Sequence, residues 1–106
     1  MATYKVLAQS APAATTATTL YTATNAVIVS TLNAANIGGT QDTIRIAVRP
    51  AGAALANQHY IAFGVPLAAG AVFSIQGGIT LGNTDVVTVY STTGNTSFSA
   101  FGSDGN

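Results

Sequence analysis

The chain has 106 residues, of which 48% are hydrophobic and only 6% charged, three Lys or Arg balancing three Asp to a formal net charge of zero. That length supports a single core over residues 1–106 and would leave two domains too small. An ordinary soluble chain carries about 25% charged residues, and the shortage excludes both a disordered segment, which is apolar-poor and charge-rich, and a nucleic-acid binder, whose phosphate contacts need many cations.

The surface must therefore be made mostly of Thr, Ser, Asn, Gln, Ala and Gly. A molecule of near-zero net charge lacks the repulsion that keeps freely diffusing copies apart, so a homo-oligomer or a place in a larger assembly is expected. Cysteine is absent, which rules out a disulfide framework and thiolate metal sites. The opening MATYKVLAQ has no basic segment followed by a long apolar run, as a secretory signal would. No window approaches the roughly 20 apolar residues of a membrane span. The expectation is a protein made in the cytoplasm that stays soluble or assembles there, with no membrane partner.

Taken in order, residues 3–9 (TYKVLAQ) form the first predicted strand. Residues 10–19 (SAPAATTATT) are an extended Ala/Thr-rich connection, because threonine loses side-chain freedom in a helix and favours extended backbone; it is either a linker or an arm lying on a neighbour. Leu20, Tyr21 and Thr22 make a short strand. Residues 26–49 read as a central hairpin whose loop, residues 33–42, contains Gly38 and Gly39 to supply positive backbone angles. Its second strand alternates cleanly, with Ile44, Ile46 and Val48 on one face and Thr43, Arg45 and Arg49 on the other.

Pro50 and Gly52 end that strand, and residues 51–56 are a small-residue crossing with room for one helical turn. Residues 57–63 are predicted as a strand with His59, Ile61 and Phe63 on one face and Tyr60 on the other. A loop punctuated by Gly64, Pro66 and Gly70 leads to a strand at 71–75, a break at Gly77-Gly78 and a short edge segment at 79–81. A turn at 82–85 opens a last hairpin, in which Val87 and Val89 alternate with Thr88 and Tyr90, residues 93–95 turn, and Phe98 and Ala100 return on the inner face. Residues 102–106 read as a frayed polar tail. About eight short strands without an amphipathic helix predict an all-β, two-sheet antiparallel sandwich, immunoglobulin-like or jelly-roll-like.

Chemistry-bearing constellations are missing. His59 is the sole histidine, so an acid-base pair would have to join it to Asp42 or Asp85; the ordinary alternative is an exposed or capped residue. There is no Gly-x-Ser-x-Gly elbow and no spaced carboxylate pair for glycoside hydrolysis. One histidine with three dispersed aspartates does not make a metal site, and the paired glycines lack the Lys-Ser/Thr ending of a phosphate loop. The triplet Asn95-Thr96-Ser97 matches a glycosylation acceptor but no secretory signal accompanies it. The expectation is a non-enzyme with no cofactor. Arg45 and Arg49 share a strand face, where a guanidinium either bridges to a partner's carboxylate or carbonyls or is simply solvated. Tyr60 and Tyr90 are core-edge residues or interface anchors. The expected contact residues are Arg45, Arg49, Tyr60 and Tyr90.

The runs YKVLAQSAPAATTATTLYTAT, NAANIGGTQDTIRIAVRPAGAALANQHYIAF and LGNTDVVTVYSTTGNTSFSAFG together resemble a group of small structural proteins of tailed bacteriophages, over nearly the whole chain. The resemblance implies a non-enzymatic virion component assembled in the host cytoplasm. It would be a decoration or cement protein bound to the major capsid protein, or a tail or fibre module that joins tail components or recognises a host-surface glycan. It carries no functional residue over to this sequence.

Overall fold

In the computed structural model, which describes residues 4–103, the regular elements are eight strands and two short 3₁₀ turns. The strands are β1 (Tyr4–Ser10), β2 (Thr18–Thr22), β3 (Val27–Asn36), β4 (Asp42–Arg49), β5 (Tyr60–Leu67), β6 (Val72–Leu81), β7 (Val86–Ser91) and β8 (Thr96–Ser103). They build two four-stranded sheets, in the spatial orders β1-β8-β3-β6 and β2-β7-β4-β5. Every pair is antiparallel. Only the β4–β5 link joins neighbours in one sheet; each other link carries the chain across to the opposite sheet. This is the expected two-sheet sandwich, and its strand order is the wrapping of an eight-stranded jelly roll rather than an immunoglobulin arrangement.

The core follows from period-two alternation. Ile44 and Ile46 of β4, Val87 and Val89 of β7, and Val29, Leu32 and Ala34 of β3 are fully buried between the sheets. Phe98 of β8 is the largest fully buried side chain. Its cross-strand neighbour is Ala34, so a large residue faces a small one, the pairing that lets layers interdigitate without voids.

Both predicted hairpins are instead crossings between sheets. β3 pairs with β6 and β8, while β4 pairs with β5 and β7; β7 and β8 likewise lie in different sheets. The cause at the first crossing is Asn36. Residues 33–36, expected in the loop, stay in β3, and the buried Asn36 side chain donates from Nδ2 to the carbonyls of Thr40 (2.8 Å) and Leu67 (2.9 Å). Its Oδ1 accepts from the Gly38 amide at 3.0 Å. These bonds fold the outgoing chain over the end of the sandwich rather than back along β3. Gly38 and Gly39 are not among the residues with positive φ. Gly38 is needed for room, since a Cβ there would sit 2.6 Å from the Asn95 amide nitrogen.

Residues 57–59 form a 3₁₀ turn, not strand, and the strand that follows continues through the predicted loop to Leu67. It does so because Gly64, at φ 67°, takes up an extra residue as a bulge, and because Pro66 lies on an edge strand, where no ladder donor is missed. β6 also continues as one strand past the expected break at Gly77-Gly78, where its pairing with β3 shifts register. Thr18 and Thr19, placed in the connection, belong to β2, and the Thr15 amide ties the shortened connection to the Ser91 carbonyl at 2.9 Å. Gly102 and Ser103, expected in a frayed tail, are buried at the end of β8; Thr3 and residues 104–106 fall outside the described residues.

Register shifts interrupt all four edge strands: β1 at Leu7, β2 at Leu20, β5 at Ile61 and Gly64, and β6 at Gly77-Gly78. Interrupted edges resist strand-to-strand addition of another chain.

Candidate functional site

The outer face of the β2-β7-β4-β5 sheet carries a cluster of one cation and three aromatic rings. Alternation along β4 points Thr43, Arg45, Ala47 and Arg49 outward. Arg45 stands in register with Phe63 of β5 on one side and Tyr90 of β7 on the other. Its guanidinium carbon is 4.4 Å from each ring centroid, so one cation is clasped by two aromatic rings. Each such contact is worth about 0.5–1 kcal/mol at an exposed site.

Tyr60 joins the group because of a bulge. Ala47 pairs with Tyr60 and Ile46 with Ala62, leaving Ile61 as the extra residue. Tyr60 and Phe63 therefore share a face, against the expectation that placed them on opposite sides, and their rings meet edge-on at 4.9 Å and 82°. Phe63 is 60% exposed, and with Asn57 and Tyr60 it lines an open depression of about 410 Å³. The Arg45 Nε is buried and has no acceptor among the described residues.

Arg49 does a different job from Arg45. Its Nε donates to Thr88 Oγ1 at 3.0 Å, and Nη1 donates to the carbonyls of Ala53 (3.0 Å) and Gly52 (3.4 Å). It thereby fastens the link after β4 to the sheet. Arg49→Ala is expected to lower stability by about 1–2 kcal/mol through these lost bonds, read as a shift in the urea midpoint with unchanged slope. An unshifted midpoint would mean that the bonds merely replace equally good ones to water.

His59, Asp85 and Asp42 are each hydrogen-bonded within the molecule. His59 Nδ1 accepts from the Ala56 amide at 3.1 Å, closing the 3₁₀ turn before β5. Asp85 accepts from the amides of Ala51 (2.8 Å) and Gly82 (2.8 Å), and these bonds, Ala51's first, hold its carboxyl below the usual range. The structure thus gives neither aspartate to His59. Asp42 lies at the opposite end of β4 from His59, and among the described residues no three His or Asp groups converge.

Asp42 is almost wholly buried, at 1% exposure. Its Oδ1 accepts from the amides of Thr43 (2.7 Å) and Thr93 (3.0 Å), and its Oδ2 accepts from the Ser91 and Thr96 hydroxyls. Burial by itself would raise the carboxyl, but the bonds from Ser91, Thr96, Thr93 and Thr43 outweigh it and hold the pKa at about 2, down from 3.8. Ser91 in turn accepts from the Gly94 amide at 3.0 Å. Every donor here belongs to β4, to β7, to β8 or to the crossing between the last two, which makes the group a pin between the sheets.

The opposite outer face, on β1-β8-β3-β6, carries a ladder of neutral polar side chains. Gln9, Ser99, Asn33 and Ser74 form one row across all four strands, linked by bonds from Gln9 to Ser99 and from Ser74 to Asn33. Of the four residues expected at a contact, the structure gathers Arg45, Tyr60 and Tyr90 and adds Phe63. No protein-family model, curated protein or solved structure matches this chain.

Proposed function

We propose that this chain is a non-enzymatic structural component of a bacteriophage virion, with decoration or cementing of the capsid surface as its role. The reading starts from the resemblance described above. It is supported by one observation in particular: half-buried Arg45, Tyr60 and Tyr90 and exposed Phe63 form a single surface cluster, while Asp42, Asp85, His59 and Arg49 are bonded within the molecule. A contact of about 800 Å² per partner would cover that cluster and much of its sheet face. The interrupted edges favour the same mode, because they leave faces as the surfaces available to neighbours.

A second reading, a tail or fibre module that recognises a host glycan, is favoured by the depression beside Asn57, Tyr60 and Phe63, which sets an amide next to aromatic rings. Counting copies in purified particles by quantitative gel separates the two. Copies in the hundreds, as symmetric shell lattices require, are the expected result, and a handful would move the protein to the tail. Absence from purified particles would overturn both.

A further inference from the structure

We propose that Arg45 receives an acidic side chain, Asp or Glu, from a partner protein that docks on the β2-β7-β4-β5 face. The proposal deepens the surface-cluster reading of the previous subsection and names the chemistry of the partner.

Four observations lead to it. First, the guanidinium carbon lies over the rings of Phe63 and Tyr90, 4.4 Å from each centroid, which holds the group between β5 and β7. Second, its Nε is already stripped of water and lacks an acceptor. An unpaired buried donor is destabilising to the free molecule, yet it means that part of the desolvation of docking has taken place before the partner arrives. Third, the terminal nitrogens are not among the buried unpaired atoms; they are the edge left open, and a planar fork matches a carboxylate in two parallel bonds. Fourth, the chain offers this cation no carboxylate of its own among the described residues. Asp42 is buried in its hydrogen-bonded cluster, and Asp85 is held by two backbone amides. Among the described residues, no carboxylate therefore compensates the charge of Arg45.

The surroundings favour a protein over a sugar. Phe63 and Tyr90 each turn a ring face to the arginine, and Tyr60 meets Phe63 edge-on, whereas a sugar ring stacks best on an open aromatic face. Exposed Phe63, beside the guanidinium, instead offers an apolar rim. Such a rim excludes water around a central charged pair, as at the hot spots of protein interfaces.

The test uses the whole purified chain and ¹H–¹⁵N spectra, including the arginine Nε–H signals. It is titrated with a capped Gly-Phe-Asp-Phe-Gly peptide, with the same peptide carrying Asn for Asp, and with sodium glucuronate. The Asp peptide is expected to bind with a dissociation constant of about 1 mM, moving the Arg45 Nε–H and the Phe63 and Tyr90 amides, and the Asn peptide about tenfold more weakly. Arg45→Gln should abolish the shifts, and Arg45→Lys, which keeps the charge but not the fork, should weaken binding about fivefold. Lys5→Gln, with the same change in net charge as Arg45→Gln, should leave it unaltered.

Equal binding of the Asp and Asn peptides, no binding of either, or full binding by Arg45→Lys would overturn the proposal. Tighter binding of glucuronate than of the Asp peptide would also overturn it, in favour of a carboxylated glycan. Failure of this test alongside high copy number in particles rejects the acidic partner and leaves the virion role standing; peptide binding by a chain absent from particles does the reverse.

Discussion

Asp42→Ala is expected to destabilise the fold by about 4 kcal/mol, near the upper limit for single substitutions. The change removes one carboxylate but leaves four donors without an acceptor, the amides of Thr43 and Thr93 and the hydroxyls of Ser91 and Thr96. They sit at a site with 1% exposure, where water reaches them poorly and each unsatisfied group is costly. For a domain of this size the melting temperature should fall by about 20 °C. Asp42→Asn should lose roughly half as much, because its amide oxygen still accepts from the two backbone amides and the hydroxyls can rotate to accept from its nitrogen.

The same cluster gives a pH signature. The Asp42 carboxyl is depressed in the folded chain, from 3.8 to about 2, so the folded state holds fewer protons than the unfolded one between those values. Its stabilisation is complete above 3.8 and is lost as pH falls towards about 2. Asp85 is shifted in the same direction and adds a component of the same sign. Melting curves of the wild type should therefore drop steeply through this window, and Asp42→Asn should drop less, keeping only the remainder. Parallel curves for the two proteins would show that the hydrogen bonds do not favour the ionised form.

Gly102→Ala should be nearly as damaging, at about 3 kcal/mol, for a steric reason. A Cβ at this position would lie far inside contact distance of the Ile28 carbonyl oxygen and 3.0 Å from the Ser30 amide nitrogen. Both obstacles are backbone of β3, which pairs with β8 at Val29–Gly102 and shifts register at Ser30. Backbone in a central strand cannot step aside as a flexible side chain would, so the penalty falls at the upper end for overpacking. Gly39→Ala is the matched control: a Cβ there meets nothing within 4 Å, and its unfolding free energy should change by less than about 0.5 kcal/mol. Equal urea midpoints for the two variants would refute the close approach of β3 to β8.

How much of this was legible in the residues differs by level. The alternation of Ile44 and Ile46 with Thr43 and Arg45 gave a half-buried strand directly, and the spacing of turn residues gave the all-β sandwich. Which strands pair was hidden, because a short polar link that crosses to the other sheet uses the same Asn, Gly and Thr residues as one that turns back. The loops around Gly38 and Gly94 are of this kind.

Bulges hid the rest. Strict alternation sends Tyr60 and Phe63 to opposite faces, and only the inserted Ile61 brings them together, so Phe63 was not grouped with Arg45, Tyr60 and Tyr90 in advance. The Asp42 pin had no local signal at all, since Ser91 and Thr96 lie 49 and 54 positions away. Arg49 looked equivalent to Arg45 by parity, and only the position of Thr88 and of the link after β4 separates their roles.

The pairing of Tyr4 with Ser103 and of Ser10 with Phe98 has a kinetic consequence. During synthesis β1 is made before the other seven strands, yet its ladder partner β8 is the last of the eight, and β3 too must wait for β6 and β8. Proteins dominated by distant contacts fold slowly, in milliseconds to seconds, so the nascent chain should linger with half-made sheets whose open strands are vulnerable to aggregation.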